Sequence, residues 1–318
     1  MTVLVSVCIP VYDVEKYIER CARSLFEQTL DSMEYIFIDD CSPDNSIAVM
    51  QRVLEEYPYR KDQVKIIRHE VNQGVGAARN HGVAACTGDY ITHCDPDDWV
   101  DLNMYETMYN KAIETNADMV CCSSICVYAN NKKSICNINS ASSVSEFIKN
   151  NLGGNLNSLC MKLYKQKIAL DSSLYCPENI CMGEDLLRNI QMLKHCKEIA
   201  FCPNVYYYYF RNNTNASTRN LTRHYLDQFI EVTNILGKID FDGFPEFHLT
   251  LQAQVLFVAL KSANISTEEY KALYSTNEFK NILGLKTFPL WKKTLLVIAK
   301  ISYPLAKCIC SLLMRIKF

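Results

Sequence analysis

The chain lacks a recognisable secretory leader. Its start, "MTVLVSVCIPVYD", has no basic region and no small-residue cleavage site, and such a start is expected of a protein kept in the cytosol. It also lacks any CxxC pair, although it has 16 cysteines. The nearest approximations, Cys122 with Cys126 and Cys176 with Cys181, have no second pair and no well-spaced histidine, which argues against a zinc site. Abundant cysteine without export then reads as reduced, buried, small apolar side chains. There is no basic excess: the formal net charge of -2 excludes nucleic-acid binding through a general basic field. Nor is there a dinucleotide fingerprint. "NQGVGAARNHG" (72–82) has Gly74 and Gly76 but no third glycine, and it follows the third strand candidate rather than the first. Internal repeats and low-complexity linkers are absent as well.

What is present is ordinary globular material, 49% hydrophobic and 21% charged, enough for one large domain or a domain with an appendage. Over the first 130 or so residues, short apolar runs alternate with helix-period stretches. The strand candidates are "VLVSVCIP", "EYIFID", "VKIIRH", "DYITHC" and "DMVCCSSICVY". Strand and helix alternating at this spacing predict an α/β fold of βαβ units with a largely parallel sheet. Asp13, Asp39-Asp40, His69-Glu70 and Asp95 to Asp98 each fall just after a strand. Ligands bind beyond the carboxyl ends of such strands, so carboxylates distant in sequence are expected along one rim.

The densest of these clusters is "THCDPDDWVD" (92–101). Magnesium and manganese prefer oxygen ligands, and magnesium is usually held by one or two carboxylates plus substrate phosphates. The aspartate cluster at the strand end, with Pro96 fixing the turn, therefore suits a half-built cation site completed by a nucleotide diphosphate. Alternatively Asp97 or Asp98 caps a helix running from Trp99. In "FIDDCSPDNS" (37–46), Asp39 and Asp40 could accept hydrogen bonds from a base or ribose, or serve the turn, while Asp44 is placed to cap a helix. Arg79 offers a permanent cation for a phosphate or for a rim carboxylate. In "GEDLL" (183–187), Glu184 and Asp185 open a helix as caps or as a general base. His93 reads as packed inside a strand, and Tyr206 to Tyr209 as alternating between core and surface.

Beyond about residue 140 the alternation breaks down, and 222–285 reads as helical. In the last segment Lys286, Lys293, Lys300 and Lys307 recur on one helical face opposite Leu, Val, Ile and Ala, with Trp291 and Tyr303 as amphipathic anchors. Interior lysines and Pro304 argue against a spanning helix. One amphipathic helix over 286–318 lying on a membrane surface is expected, or else a helix packed on the domain or a second subunit.

Together, "VSVCIPVYDVEKYIERCARSLFEQT", "YIFIDDCSPDNS", "NQGVGAARNHGVAACTGDYITHCDPDDW" and "MGEDLL" resemble, in order and spacing, the family 2 glycosyltransferases of GT-A fold. The resemblance is dense over 3–125, sparser to about 220, and absent beyond. It implies a GT-A domain over 1–220; the residue pattern adds a helical region over 221–285 and the amphipathic helix over 286–318. Pro10, Tyr12 and Glu15 would border the nucleotide, with Asp13 where the family often has Asn. Asp39 or Asp40 would contact the uracil or ribose, Arg79 would lie near the diphosphate, Asp95 would touch the ribose, and Asp97, with Asp95, a Mn²⁺ or Mg²⁺ ion. Asp185, with Glu184 beside it, would be the base. Arg211 and Ser217 would lie in a segment that closes over the diphosphate. The implied activity is inverting transfer from a UDP-sugar to a glycan or lipid-linked acceptor in surface polysaccharide synthesis, at the inner face of the cell membrane. A non-catalytic nucleotide-sugar-binding protein of the same fold is the alternative. A sugar nucleotidyltransferase is excluded because "PVYDVEKY" has no glycine where a pyrophosphorylase loop would lie, and the lack of a QxxRW element after Asp185 argues against a processive synthase.

Overall fold

The computed structural model describes residues 2–152, 155–171, 174, 177, 180, 182–211, 222–261 and 265–316. It divides into two compact units, Met1–Asn215 and Ala216–Phe318.

The first unit opens with β1 (Val5–Val11), α1 (Ile18–Phe26), β2 (Met33–Asp39), α2 (Ser46–Glu55), β3 (Val64–Arg68), α3 (Val75–Ala84) and β4 (Tyr90–His93). These four strands pair in parallel in the order β3-β2-β1-β4. Helices cover such a sheet on both faces, so its inner strands read as unbroken apolar runs; every residue of β1 is buried. The helix α1 turns Ile18, Cys21, Ala22, Leu25 and Phe26 toward the sheet, the spacing of a single helical face. Phe26 meets Tyr35 and Phe37 edge-on at ring separations of 5.5 and 6.3 Å. Neighbours of β1 lie on opposite sides, so the chain reverses direction across the sheet there, and the loops after β1, β2 and β4 emerge together at the switch point.

After β4 the expected parallel order gives way to a mixed sheet. The elements are β5 (Trp99–Val100), α4 (Met104–Thr115), β6 (Met119–Tyr128), β7 (Lys133–Cys136), α5 (Val144–Asn151), β8 (Lys162–Lys165), α6 (Gln166–Ala169), α7 (Glu184–His195) and β9 (Ile199–Arg211). β8 runs antiparallel between β4 and β6, β7 is a hairpin partner of β6, β9 lies parallel to β6, and β5 closes the edge against β9. The stretch expected to be helical from Trp99 is thus a short strand, and the helix begins at Met104. Trp99 stacks on Tyr208 with centroids 5.1 Å apart, a cross-strand aromatic pair that outweighs helix formation here. All the described cysteines are free thiols, most of them buried.

The second unit holds α8 (Arg223–Leu236), α9 (Phe247–Lys261), α10 (Thr267–Ala272), α11 (Thr276–Gly284), α12 (Leu290–Ile301) and α13 (Tyr303–Ile316). Serine capping boxes at Ser266 with Glu269 and Ser275 with Glu278 start α10 and α11. The single helix expected over 286–318 is corrected to two. Pro304 has no N–H to bond the carbonyl one turn back, and Ser302 leaves the helix at φ -146°, ψ 97°. Leu295, Leu296, Ala299, Tyr303 and Ala306 are buried, and the Tyr303 hydroxyl donates to the Ala259 carbonyl at 3.0 Å. The opposite side exposes Leu290 (80%), Ile301 (82%) and Leu305 (54%). Among the described residues no helix is long and apolar enough to cross a membrane.

One glycine controls how β4 meets β1. The Gly88 N–H donates to Ser6 Oγ at 2.8 Å, and a Cβ there would lie 2.9 Å from the Ser6 backbone nitrogen and 3.1 Å from the Val5 carbonyl carbon. Because backbone cannot rotate away, Gly88→Ala is expected to lower stability by about 1–3 kcal/mol, read as a fall in the denaturant midpoint with an unchanged slope.

Candidate active site

The rim forms around a buried cation. Arg79, on α3, is 5% exposed, and its guanidinium bonds Asp95 at 3.0 Å, Glu184 at 3.0 Å and Asp185 at short range. Asp95 comes from the end of β4 and the other two from the first turn of α7, so one side chain joins three segments. Gly183, at φ 89°, precedes α7; a left-handed turn there favours glycine and aims Glu184 and Asp185 back toward α3. Of the two roles open to Arg79, the carboxylate partnership is the one formed. Burial alone would discharge Arg79, but Asp185, Asp95 and Glu184 together hold its proton far more tightly than usual. Asp185 is pushed up to about 7: burial raises it, Arg79 pulls it down, and the charges of Glu184 and Asp95 add to the rise.

The aspartate loop is tied down from behind. Asp98 is fully buried; it accepts from the Tyr207 hydroxyl at 2.6 Å and from the Phe210 N–H at 2.7 Å. Its expected role as a helix cap is therefore replaced by one that binds the loop to β9. The Tyr207 oxygen also accepts from the Asp95 N–H at 3.1 Å. Arg20 lies against the Trp99 and Phe210 rings at 3.7 and 4.7 Å and donates to the Asp97 carbonyl at 2.8 Å, while its Nε is buried without a partner. The Asp97 carboxyl is pushed up to about 6 by burial and by Asp95. A hard-oxygen group held against a like charge, with Arg20 spent on its main-chain oxygen, fits a divalent cation. Among the described residues no cluster of three or more acidic, His or Cys side chains could hold such an ion.

At the other end of the rim, the loops after β1 and β2 are interlocked. Asp13 takes a left-handed φ of 54°, which Asn and Asp tolerate better than most residues. The Glu15 N–H donates to Asp44 at 2.8 Å, and the Asn45 N–H donates back to Glu15 at 3.1 Å. Asp44, bonded also by Ser42 and Ser46, is held below the usual carboxylate range by these donors, which outweigh burial. Pro10 is buried inside β1 and Tyr12 is 47% exposed. Asp39 accepts from the Ser42 N–H at 3.0 Å and remains 17% exposed. Asp40 is 3% exposed and is engaged by His69 and by the N–H groups of Gln73 and Gly74. Arg211 is exposed at the end of β9, 5.5 Å over the Tyr209 ring; Ser217 lies outside the described residues.

His93 is buried, with Nδ1 unpaired and its pKa well below the usual value through burial and the charges of Arg79 and Arg188, as its packed reading requires. Sequence reasoning missed Arg20 and Tyr207. For Tyr207 a signal existed, since the inward positions of β9 alternate; for Arg20 nothing local marks a stacked cation.

The parallel half-sheet, the mixed extension and the rim carboxylates define a GT-A-type glycosyltransferase. The glycosyl transferase family 2 model matches residues 6–169, and the chain belongs to that family. Over 122 residues it is 38% identical to the glycosyltransferase EpsJ of Bacillus subtilis, covering 38% of this chain and 34% of that protein; the match thus spans about a third of the relative's length. The S. aureus TarS 1-349 structure in complex with UDP-GlcNAc is similar with a TM-score of 0.62 at 16% identity, covering 98% of this chain and 91% of the other. A mannosyltransferase of Pyrobaculum calidifontis, in complex with GDP-Man and Mn²⁺, gives 0.59 at 13%, covering 98% and 88%.

With Asp185 titrating near 7, a base acting from this position loses activity on the acid side. The expected kcat/KM falls about tenfold per pH unit below that value. Arg79 lowers the Asp185 pKa, so Arg79→Met should move the acid limb to higher pH; movement to lower pH would contradict the electrostatics described.

Proposed function

We propose that this glycosyltransferase is an inverting, metal-dependent enzyme that transfers a sugar from a UDP-type donor to a hydroxyl of a glycan or lipid-linked acceptor in surface polysaccharide synthesis. The observation that carries the reading is a carboxyl, Asp185, largely withdrawn from solvent at the start of α7 and joined through Arg79 to the aspartate loop, its pKa pushed up to about 7. In this reading Asp185 takes the acceptor proton as the acceptor oxygen attacks the anomeric carbon. The bond from that carbon to the diphosphate oxygen breaks on the far face, and UDP leaves with the bonding pair. One displacement inverts the configuration. Glu184 shares Arg79 with Asp185 and steadies the first turn of α7.

At the donor end, Asp39 is the better candidate for the base or ribose, because Asp40 is saturated by its own loop. Pro10, being buried, would border the nucleotide only through main chain, while Tyr12 offers an exposed ring; Glu15 is committed to the loop beside Asp44. Asp95 would reach the ribose. Asp97, with Asp95, would hold the divalent cation, which would offset charge on the leaving diphosphate when bound. Arg79 contributes to that electrostatic demand through the carboxylates it orients. Arg211, at the end of β9, would meet the diphosphate, and the family resemblance gives Ser217 the same role. The bound UDP-GlcNAc of the TarS structure and the GDP-Man and Mn²⁺ of the archaeal enzyme support a nucleotide-sugar and cation reading. With Mn²⁺ and a panel of UDP-sugars the purified protein should release UDP; Asp185→Asn should cut kcat by roughly 10²–10⁴-fold, and Asp97→Asn should abolish metal-stimulated release. No turnover of any nucleotide sugar with any divalent ion would refute the reading.

A membrane-bound acceptor is supported by the last two helices. After Glu278 the sequence has no acidic residue, but it has Lys280, Lys286, Lys292, Lys293, Lys300, Lys307, Arg315 and Lys317. Exposed Leu290, Ile301 and Leu305 supply the apolar face of an interfacial helix pair at the inner leaflet. Ile301→Asp with Leu305→Asp should lower co-sedimentation with anionic vesicles at least several-fold while leaving the melting temperature unchanged; equal partitioning would exclude this face.

A further inference from the structure

A chain of hydrogen bonds runs outward from Asp40, and the chemistry above leaves it unused. Asp40 Oδ1 meets His69 Nδ1 at 2.7 Å, and His69 Nε2 meets His81 Nδ1 at 2.8 Å. The two imidazoles stand edge to face, 4.8 Å apart at 88°. Asp40 also accepts main-chain N–H groups from Gln73 and Gly74, both at 2.8 Å, so its carboxylate acts throughout as an acceptor. His69 Nδ1 must then carry a hydrogen, which leaves its Nε2 to accept from His81 Nδ1–H when both rings are neutral. One tautomer of each ring satisfies the whole chain.

The chain secures both ends of one loop. The His69 N–H donates to the Asp39 carbonyl at 2.9 Å, and Gly74, at φ 87°, starts α3. Between these anchors Val71 is 63% exposed, and Asn72 and Gln73 are exposed beside it. Because Asp39 and Arg68 are register partners in parallel strands, this loop leaves β3 at the same rim where Asp39 is presented. Glu70 before Val71 is exposed as well. An exposed apolar side chain followed by two amide-bearing ones, on a loop clamped at both ends by a buried carboxylate, suits contact with a flat heterocycle whose edge makes hydrogen bonds.

We infer that His69 and His81 are positioning residues that act through Asp40 to hold the 69–74 loop as the wall of the nucleobase subsite. The inference rests on the donor reading above, in which Asp39 faces the nucleoside. His69 orients the carboxylate that binds Gln73 and Gly74, and His81 fixes the His69 ring by occupying its second nitrogen. Neither touches the transferred sugar.

Calorimetry with UDP and with GDP as probes tests it. The intact protein should bind UDP more tightly than GDP. His69→Leu should weaken UDP roughly tenfold, the loss a single well-placed hydrogen bond carries, and should compress the UDP-to-GDP affinity ratio. His69→Asn, whose amide can still donate to Asp40, should recover most of both. His81→Ala should fall between. If His69→Leu does not fold, judged by its melting curve, the ratio measured with His69→Asn and His81→Ala decides the matter. An unchanged UDP affinity and ratio in every folded variant would overturn the inference while leaving the donor reading intact. Failure of the intact protein to bind either nucleotide would overturn both.

Discussion

A guanidinium buried to 5% exposure depends on its carboxylates, and the rim of this enzyme is organised by that dependence. Removing one partner of a buried ion pair leaves a charge without compensation, which costs far more than the pair contributes when intact. Arg79 therefore constrains the end of β4 and the start of α7 to one geometry. The same arrangement sets the chemistry. Three carboxylates share one cation, and one of them, Asp185, is pushed up to about 7 by burial and by the charges of the other two. Position and acidity come from one set of contacts.

The rest of the unit serves to keep that set in register. β1 is buried along its whole length, Gly88 lets β4 approach it closely, and Tyr207 and Arg20 hold the aspartate loop from β9 and α1. These supports come from elements that are separate in sequence, so that a change at Arg20 or Tyr207 would act on Asp97 or Asp95 without touching a ligand.

Much of the first hundred residues was legible because local signals agree there. Apolar runs, helix faces and polar strand ends all favour a βαβ layout, and the rim aspartates follow from it. Legibility declined where long-range pairing decides the outcome. Trp99 and Val100 became a strand because β9 offered Tyr207 and Tyr208 as partners, and no window around Trp99 contains β9. Asp40 illustrates the same limit at one position. Side by side in sequence, Asp39 and Asp40 were interchangeable candidates, and only the contacts of His69, Gln73 and Gly74 separate a buried anchoring carboxylate from one that stays partly exposed beside Arg68. The terminal segment showed its amphipathic period correctly, yet Pro304 divided it.

The spacing of the Arg79 partners along the chain has a consequence for synthesis. Asp95 lies 16 positions from Arg79, whereas Asp185 lies 106 away. As the polypeptide leaves the ribosome, N-terminal segments are available to fold first, and the β1–β4 sheet with its α3 cover can assemble while α7 is still untranslated. At that moment the arginine has one carboxylate instead of three. The Arg79 cluster is completed only when the second half of the unit emerges, so the nascent chain builds the β1–β4 rim well before Glu184 and Asp185 reach it.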